Sequence, residues 1–184
     1  MERREFLKKA GIGSAALASF PFLAQVASAA EAVDDGRTKF YFVALSGLTP
    51  TLTGGESIAM SGSGHFSDRR VEGGGEFVHF DGTQIPSLNF LGTGRWRATR
   101  LISFREVGTW GTFVSGILTI GATLIPCEGP RIRGATLEIV CNLGPAGIGT
   151  PGTVEGYTLT LPDGTTFSAF SPNIGLTLFT RRCD

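Results

Sequence analysis

From Lys39 onward, short apolar runs restrict the chain to a fold built from strands. The runs are five to twelve residues long, are rich in Phe, Val, Ile, Leu and Thr, and end at Gly, Pro, Asp or Asn. None of them keeps the i, i+3, i+4, i+7 spacing of an amphipathic helix over three turns. Such runs, bounded by turn residues, are typical of strands. We predict strands near residues 39–46, 56–61, 63–69, 75–81, 94–107, 112–125, 132–142, 153–161 and 174–180.

The same stretch contains no linker and no change in composition that would divide it. Residues 30–184 hold 25 of the 27 Gly, since two fall before residue 30, and so many turn-forming residues are unlike a helical bundle. Hydrophobic residues make up 41% of the whole chain, which is too many for a disordered protein. We therefore expect one all-β domain over residues 39–184, a single antiparallel β-barrel with a β-sandwich as the alternative, after a flexible lead-in over residues 30–38.

Residues 1–29 have the order of a processing signal. Residues 3–9 read Arg-Arg-Glu-Phe-Leu-Lys-Lys, residues 10–26 are mildly apolar, and residues 27–29 read Ala-Ser-Ala. This segment resembles a twin-arginine (Tat) signal peptide. The resemblance implies an N-terminal signal helix, the Tat translocase as partner during export, and a periplasmic or extracellular location. The apolar stretch contains Pro21 and is too short for a permanent membrane span.

After residue 29 the chain carries 12 basic and 14 acidic residues, a balance of −2 that is spread along the sequence. Nucleic-acid affinity comes mainly from Lys and Arg side chains that neutralise phosphates. The balance argues against a polyanion-binding protein built on a basic face, and we expect no nucleic-acid partner. Phosphate-binding, nucleophile-elbow, His-Glu-x-x-His and Cys-x-x-Cys motifs are absent from the sequence. We therefore expect no cofactor.

Glycine and aromatic spacing carries a further resemblance. From Ser61 to Phe104 the chain reads Ser-Gly-x-Gly-x-Phe, then Gly-Gly-Gly-x-Phe-x-His, then Gly-Thr-Gly, then Ala-Thr-Arg-Leu-Ile-Ser-Phe. With the segment from Glu155 to Phe179, this stretch resembles small exported bacterial proteins without an assigned activity, which implies fold and export but no chemistry. Residues 92–98, Gly-Thr-Gly-Arg-Trp-Arg-Ala, are similar to a phrase of dirigent and allene-oxide-cyclase-like barrels. That likeness favours a barrel over a sandwich.

A histidine metal site would have to use His65 and His79, the two histidines of the chain. The glycines at 73–75 are a turn signal, and a hairpin loop across residues 71–73 pairs positions whose numbers sum to 144. This register places His65 opposite His79, on a polar face that also carries Asp81. The three side chains are suitable ligands for one divalent metal ion, and solvated histidines on a polar strand face are the alternative.

Two charges interrupt apolar strand faces. Arg100 breaks the apolar alternation of 94–107, and Glu155 breaks that of 153–161, so both are predicted to point inward. Burial of either charge alone would cost several kcal/mol, so we predict that the two side chains form a bidentate pair. Such a pair either closes the end of the core or lines a cavity, where it binds a ligand carboxylate or carbonyl with Tyr157 as a further donor.

Three cysteines follow the signal-like segment, at positions 127, 141 and 183. In an exported protein at most one internal disulfide forms among three thiols. Local closure favours a bridge between Cys127 and Cys141, while a bridge from Cys183 to either of them is the alternative. A catalytic thiol is not expected, because no histidine lies near a cysteine in the sequence.

These features favour an exported, non-enzymatic binding or cell-envelope protein whose ligand is unknown. The first alternative is a β-barrel that binds an apolar small molecule, of an isomerase or cyclase kind, which requires a cavity with a few convergent polar groups. The second alternative is a divalent-metal protein that uses His65 and His79.

Overall fold

The computed structural model describes residues 37–47, 49, 55–81, 89–143, 147–149, 151–169 and 175–181, which form strands and turns. The strands are β1 (Thr38–Leu45), β2 (Glu56–Ser67), β3 (Arg70–Asp81), β4 (Asn89–Trp110), β5 (Phe113–Pro126), β6 (Ile132–Cys141), β7 (Gly156–Thr160), β8 (Thr166–Phe167) and β9 (Gly175–Thr180). No helix in these ranges is long and apolar enough to cross a bilayer. The predicted signal helix over residues 1–29 lies outside the described residues.

All nine of these strands belong to one antiparallel sheet. Its order is β4-β3-β2-β1-β9-β5-β6-β7-β8, and β4 pairs in addition with β5. The additional pairing closes a ring of six strands, namely β1, β2, β3, β4, β5 and β9. The predicted all-β fold with a single antiparallel sheet is confirmed, and the ring is barrel-like.

The sheet forks between β1 and β5. At one end, which we call the narrow end, β9 alone connects them, because β5 pairs with β9 only at Phe113 and Val114. From Gly116 onward β5 pairs with β6 instead. At the other end, which we call the wide end, β6, β7 and β8 fill the gap, and Ser46 after β1 bridges to Ala169 after β8. The interior is therefore bounded on this side by one strand at the narrow end and by three at the wide end.

Inward-facing aromatic rings fill the ring of strands. The ring centroid of Phe42 lies 5.8 Å from that of Trp96 and 5.6 Å from that of Tyr157. These separations are typical of favourable tilted aromatic pairs. A second cluster, with centroid separations from 4.6 to 6.2 Å, closes the narrow end and consists of Phe66, Phe104 and Phe179.

Glycines in β2 and β3 make room for these rings. A Cβ atom at Gly62 would lie 2.2 Å from Cζ2 of Trp96, and one at Gly73 would lie 2.7 Å from the ring of Phe40. A strand glycine commonly marks such a close approach. The glycines at 73–75 therefore lie inside β3, and their interpretation as a turn is wrong.

The β2–β3 hairpin turns at residues 68–69, and Ser67 pairs with Arg70. The numbers of paired residues sum to 137, as for Ser67 and Arg70, so the predicted register, in which they sum to 144, is wrong. His65 consequently faces Glu72 across the hairpin. His79 faces Ile58, near the wide end of the interior.

Candidate functional site

An apolar cavity of about 330 Å³ lies at the wide end of the interior. Apolar side chains dominate its wall, among them Ile58, Phe77, Leu124, Ile132, Leu161 and Phe167. Polar lining groups come from His79, Thr93, Cys127 and Glu128. Small-molecule sites typically have volumes of about 300–1,000 Å³ and apolar walls with a few placed polar groups. The cavity is therefore the candidate functional site of the described part of the chain.

His79, which lines the cavity, forms a close polar pair with Glu56. His79 lies on the inner face of β3 opposite Ile58, and Glu56 lies two residues before Ile58 on the same face of β2. His79 Nε2 is 2.6 Å from Glu56 Oε2, and the side chains are 29% and 26% exposed. The Nε2 atom is itself buried and takes part in no aligned hydrogen bond with a described residue. The contact is thus an ion pair when the imidazole is protonated. The ring of Phe167 meets the imidazole edge to face at 5.7 Å.

Tyr157 supports this wall from behind. Its hydroxyl donates a hydrogen bond of 2.5 Å to the carbonyl oxygen of Ile58, which also accepts one of 2.8 Å from the N–H of Ser46. Burial raises the pKa of Tyr157 well above its ordinary range, so the hydroxyl stays protonated as a donor. Tyr157 therefore fixes the part of β2 that carries Glu56, and it does not line the cavity, where we predicted a ligand-binding donor.

Cys127 lies exposed at the rim of the cavity. The hydroxyl of Thr93 donates a hydrogen bond of 3.3 Å to the sulfur of Cys127. The backbone N–H of Cys127 in turn donates one of 2.8 Å to the carbonyl oxygen of Thr93. These bonds fix the residue after β5 against β4. The Cys127 thiol can therefore be reached from the cavity.

The predicted disulfide between Cys127 and Cys141 is wrong, because both are free thiols. Cys141 lies opposite Gly116, near the beginning of β5, whereas Cys127 follows the last residue of that strand. Ten residues of β5 separate these positions, which is roughly 33 Å, and a disulfide requires Cα atoms less than about 7 Å apart. The antiparallel β5–β6 hairpin thus holds the two cysteines at opposite ends. Cys183 lies outside the described residues.

The predicted metal site is also wrong. His65 points away from the interior, and its Nε2 accepts a hydrogen bond of 2.7 Å from Nη1 of Arg37. His79 lies seven residues along β3 from Glu72, the partner of His65, which is roughly 23 Å. An odd separation also places the two histidines on opposite faces, so Asp81 cannot join them. No group of three or more His, Cys, Asp or Glu side chains in the described ranges is suited to hold a metal ion.

Arg100 and Glu155 do not form the predicted pair. A β-bulge between Ala98 and Arg100 inserts Thr99 and ends the simple alternation of β4. Arg100 is consequently exposed on the outer face, with its side chain over Gly121, and forms no ion pair with a described residue.

Glu155 instead completes the backbone hydrogen bonding at the fork. Its Oε1 accepts a hydrogen bond of 3.2 Å from the N–H of Thr177 in β9 and lies 2.8 Å from the Thr177 hydroxyl. β5 reaches β9 only at Thr180 and Phe179, so this side of Thr177 has no strand partner. The same hydroxyl lies 2.7 Å from the carbonyl oxygen of Val140, and its single proton serves one acceptor at a time. Glu155 therefore has an architectural role at the fork, and it does not line the cavity.

Sequence reasoning missed Glu56 and Phe167. Glu56 reaches His79 only because the hairpin turns at residues 68–69. No described residue other than glycine has a positive φ, so this turn lacks the Asn-Gly type of signal that marks many two-residue hairpins. Phe167 belongs to a strand of two residues, which is too short to show an alternating pattern.

Comparison of the chain with protein-family models, with curated proteins and with solved structures finds no match in any of the three.

Proposed function

We propose that this is an exported protein that binds a small, largely apolar molecule in the cavity at the wide end. The observation that carries the proposal is a cavity of about 330 Å³ whose apolar wall includes His79, and the imidazole of His79 is in turn in contact with the Glu56 carboxylate. At such sites the apolar wall supplies most of the contact, and the few polar groups fix the orientation of the ligand. The ligand therefore has a hydrophobic body and one polar group, such as a hydroxyl or carbonyl, that faces His79. Export and a place in the cell envelope belong to the same proposal, on the basis of residues 1–29.

Titration with the neutral apolar fluorophore N-phenyl-1-naphthylamine tests the cavity. Ile132→Trp places a large ring in the wall and is expected to weaken binding of the fluorophore by about tenfold or more, a loss of at least 1.4 kcal/mol. Ile102→Trp is the matched control, because Ile102 is 45% exposed on β4 and does not line the cavity. Absence of binding to the wild-type chain, or an equal loss in both variants, would refute the proposal.

Catalysis of proton transfer on such a ligand is a second candidate function, of the isomerase or cyclase kind. The observation that favours it is the 2.6 Å contact between His79 Nε2 and Glu56 Oε2 at an apolar wall. A histidine can take a proton from a bound ligand and return it to another atom, and the adjacent carboxylate stabilises the imidazolium formed between these steps. The assay is exchange of the α-protons of 1-indanone in deuterated water, followed by NMR. The wild-type chain is expected to accelerate exchange and His79→Gln to abolish the acceleration; equal rates would exclude this catalytic role while leaving the binding function intact.

A further inference from the structure

A group of exposed arginines covers part of the outer surface of the sheet. Its members are Arg95, Arg97, Arg100 and Arg105 of β4 and Arg133 of β6. Thr123 of β5 pairs with both Arg97 and Arg133, so these two lie two strand spacings apart, roughly 10 Å. We call this surface the arginine face. The even spread of charge along the sequence does not reveal this group of arginines, because strand pairing gathers residues from separate segments.

Nothing in the described ranges neutralises the arginine face by an ion pair. Three glutamates share this side of the sheet, Glu72 opposite His65, Glu76 opposite Arg95 and Glu138 opposite Thr119, yet none of them forms an ion pair with any of the five arginines. Arg181 behaves differently, since it lies 2.9 Å from a carboxylate oxygen of Glu106. The guanidinium groups of the face are therefore available to anionic groups of another molecule.

We propose that the arginine face binds an acidic polysaccharide, a polymer whose sugar units carry carboxylate or sulfate groups. A guanidinium group binds such groups with two parallel hydrogen bonds, which an ammonium group cannot do. Between the arginines, β5 presents Thr119 and Thr123 on either side of Gly121, which the Arg100 side chain covers, so a polymer chain can lie across small side chains there. Each exposed ion pair is weak, but several contacts to one polymer add together through avidity.

The side chains of the face distinguish this partner from other polyanions. Single-stranded nucleic acids are bound by positive charge together with base stacking on aromatic side chains, and no aromatic residue of β4 between Arg95 and Arg105 faces outward. A bilayer surface is bound most firmly when apolar side chains enter it. The exposed aromatic residues Trp110 and Phe113 lie at the tip of the β4–β5 hairpin, beyond the arginines.

The arginine face lies on the outside of the ring and the cavity lies inside it. Polysaccharide binding is therefore independent of ligand binding in the cavity, and each can be refuted without the other. The test is fluorescence anisotropy of labelled polygalacturonate titrated with the purified full chain. The double variant Arg97→Gln/Arg133→Gln is expected to raise Kd about fivefold to tenfold through loss of two exposed contacts. Salt is expected to weaken binding of the wild-type chain.

The matched control is Arg69→Gln/Arg70→Gln, which removes the same charge at the β2–β3 turn and should change Kd by less than about twofold. Arg97→Lys/Arg133→Lys keeps the charge and is expected to give an intermediate Kd, because the planar fork is lost. Circular dichroism spectra verify that each variant is folded. An equal loss in the two glutamine variants would assign binding to overall charge and overturn the proposal. Tighter binding to phosphatidylglycerol vesicles or to a single-stranded oligonucleotide than to polygalacturonate would overturn it as well, as would no binding to polygalacturonate at low salt.

Discussion

At the scale of the residue, Tyr157 connects the core to the wall of the cavity. Its ring packs against Phe42, and its hydroxyl donates to the carbonyl oxygen of Ile58. Burial raises its pKa well above the ordinary value of about 10, so the unfolded chain loses this proton at a lower pH than the folded chain does. The stabilisation linked to this protonation is complete below about pH 10 and is lost as the pH rises toward the folded-state pKa.

Tyr157→Phe is expected to lower the free energy of unfolding at neutral pH by about 1–2 kcal/mol, because the Ile58 carbonyl group loses one of its two donors. The same variant should show a shallower loss of stability above about pH 10, since phenylalanine does not ionise. Urea unfolding at a series of pH values measures both effects. Cys141, whose pKa burial also raises, contributes equally in the two proteins and cancels in the comparison. Identical alkaline slopes for the two proteins would contradict the assignment.

At the scale of the element, the fork shows how a sheet can change strand partners without leaving backbone groups unpaired. β5 pairs with β9 over two residues and then pairs with β6. The Glu155 side chain supplies the hydrogen-bond acceptor for the N–H of Thr177 in β9, which has no strand partner on that side. Ser115, which lies between the two pairings, donates to the carbonyl oxygen of Cys141 on β6. Polar side chains therefore do at the fork what a neighbouring strand does elsewhere, since a buried unpaired N–H group costs about 1–3 kcal/mol.

Glu155→Ala should therefore destabilise the protein by about 1–3 kcal/mol and speed hydrogen exchange at the Thr177 amide. Glu155→Gln keeps an acceptor oxygen and should be milder in both respects. Glu138→Ala, at a half-buried glutamate on the outer face of β6, is the control and is expected to change stability by about 0.5 kcal/mol or less. Urea unfolding and amide exchange followed by NMR provide the measurements. A loss in the control as large as that in Glu155→Ala would mean that Glu155 has no special place at the fork.

The elements also mark the limit of prediction from the sequence. The strands predicted at 112–125 and 132–142 match β5 and β6 to within a residue at each end, because clear apolar runs end there at turn residues. The predicted β2–β3 register was wrong, because the glycines at 73–75 make room for aromatic rings of the core and do not form a turn. The prediction that Arg100 points inward was wrong because a bulge interrupts the alternation of β4, and the sequence contains no signal that marks this bulge. His79 was thus found as a candidate, whereas its partner in the site depended on a register that the sequence does not specify.

At the scale of the whole molecule, the fold separates two surfaces that the charge balance hides. The interior at the wide end is apolar with one polar pair, and the outer face of β4 and β6 carries the unpaired arginines. Net charge describes neither, because it averages over segments that strand pairing sorts to different sides. The proposed ligand and the proposed polymer would therefore occupy different regions of the molecule, one inside the ring and one on its outer face.

Export by the twin-arginine route is tested by changing Arg3 and Arg4 together to Lys. The double variant is expected to stay in the cytoplasm, because the arginine pair is the feature of the signal that the translocase reads. Cell fractionation and immunoblotting measure the distribution. Arg69→Lys/Arg70→Lys makes the same substitution at the β2–β3 turn and should leave export unchanged. Unchanged export of the first variant, with cleavage after Ala29, would indicate the general secretory route.

The place of β9 in the ring also sets the time at which folding can finish. β9 follows β8 along the chain yet lies between β1 and β5, where it pairs Phe40 with Phe179. Until this last strand leaves the ribosome, β1 has one unpaired edge, and open edges invite association with other chains. Contacts between such distant segments also form slowly, because a long loop must close first. The ring therefore closes only after translation has passed Thr180, so a transporter that accepts folded chains would have to act after that point.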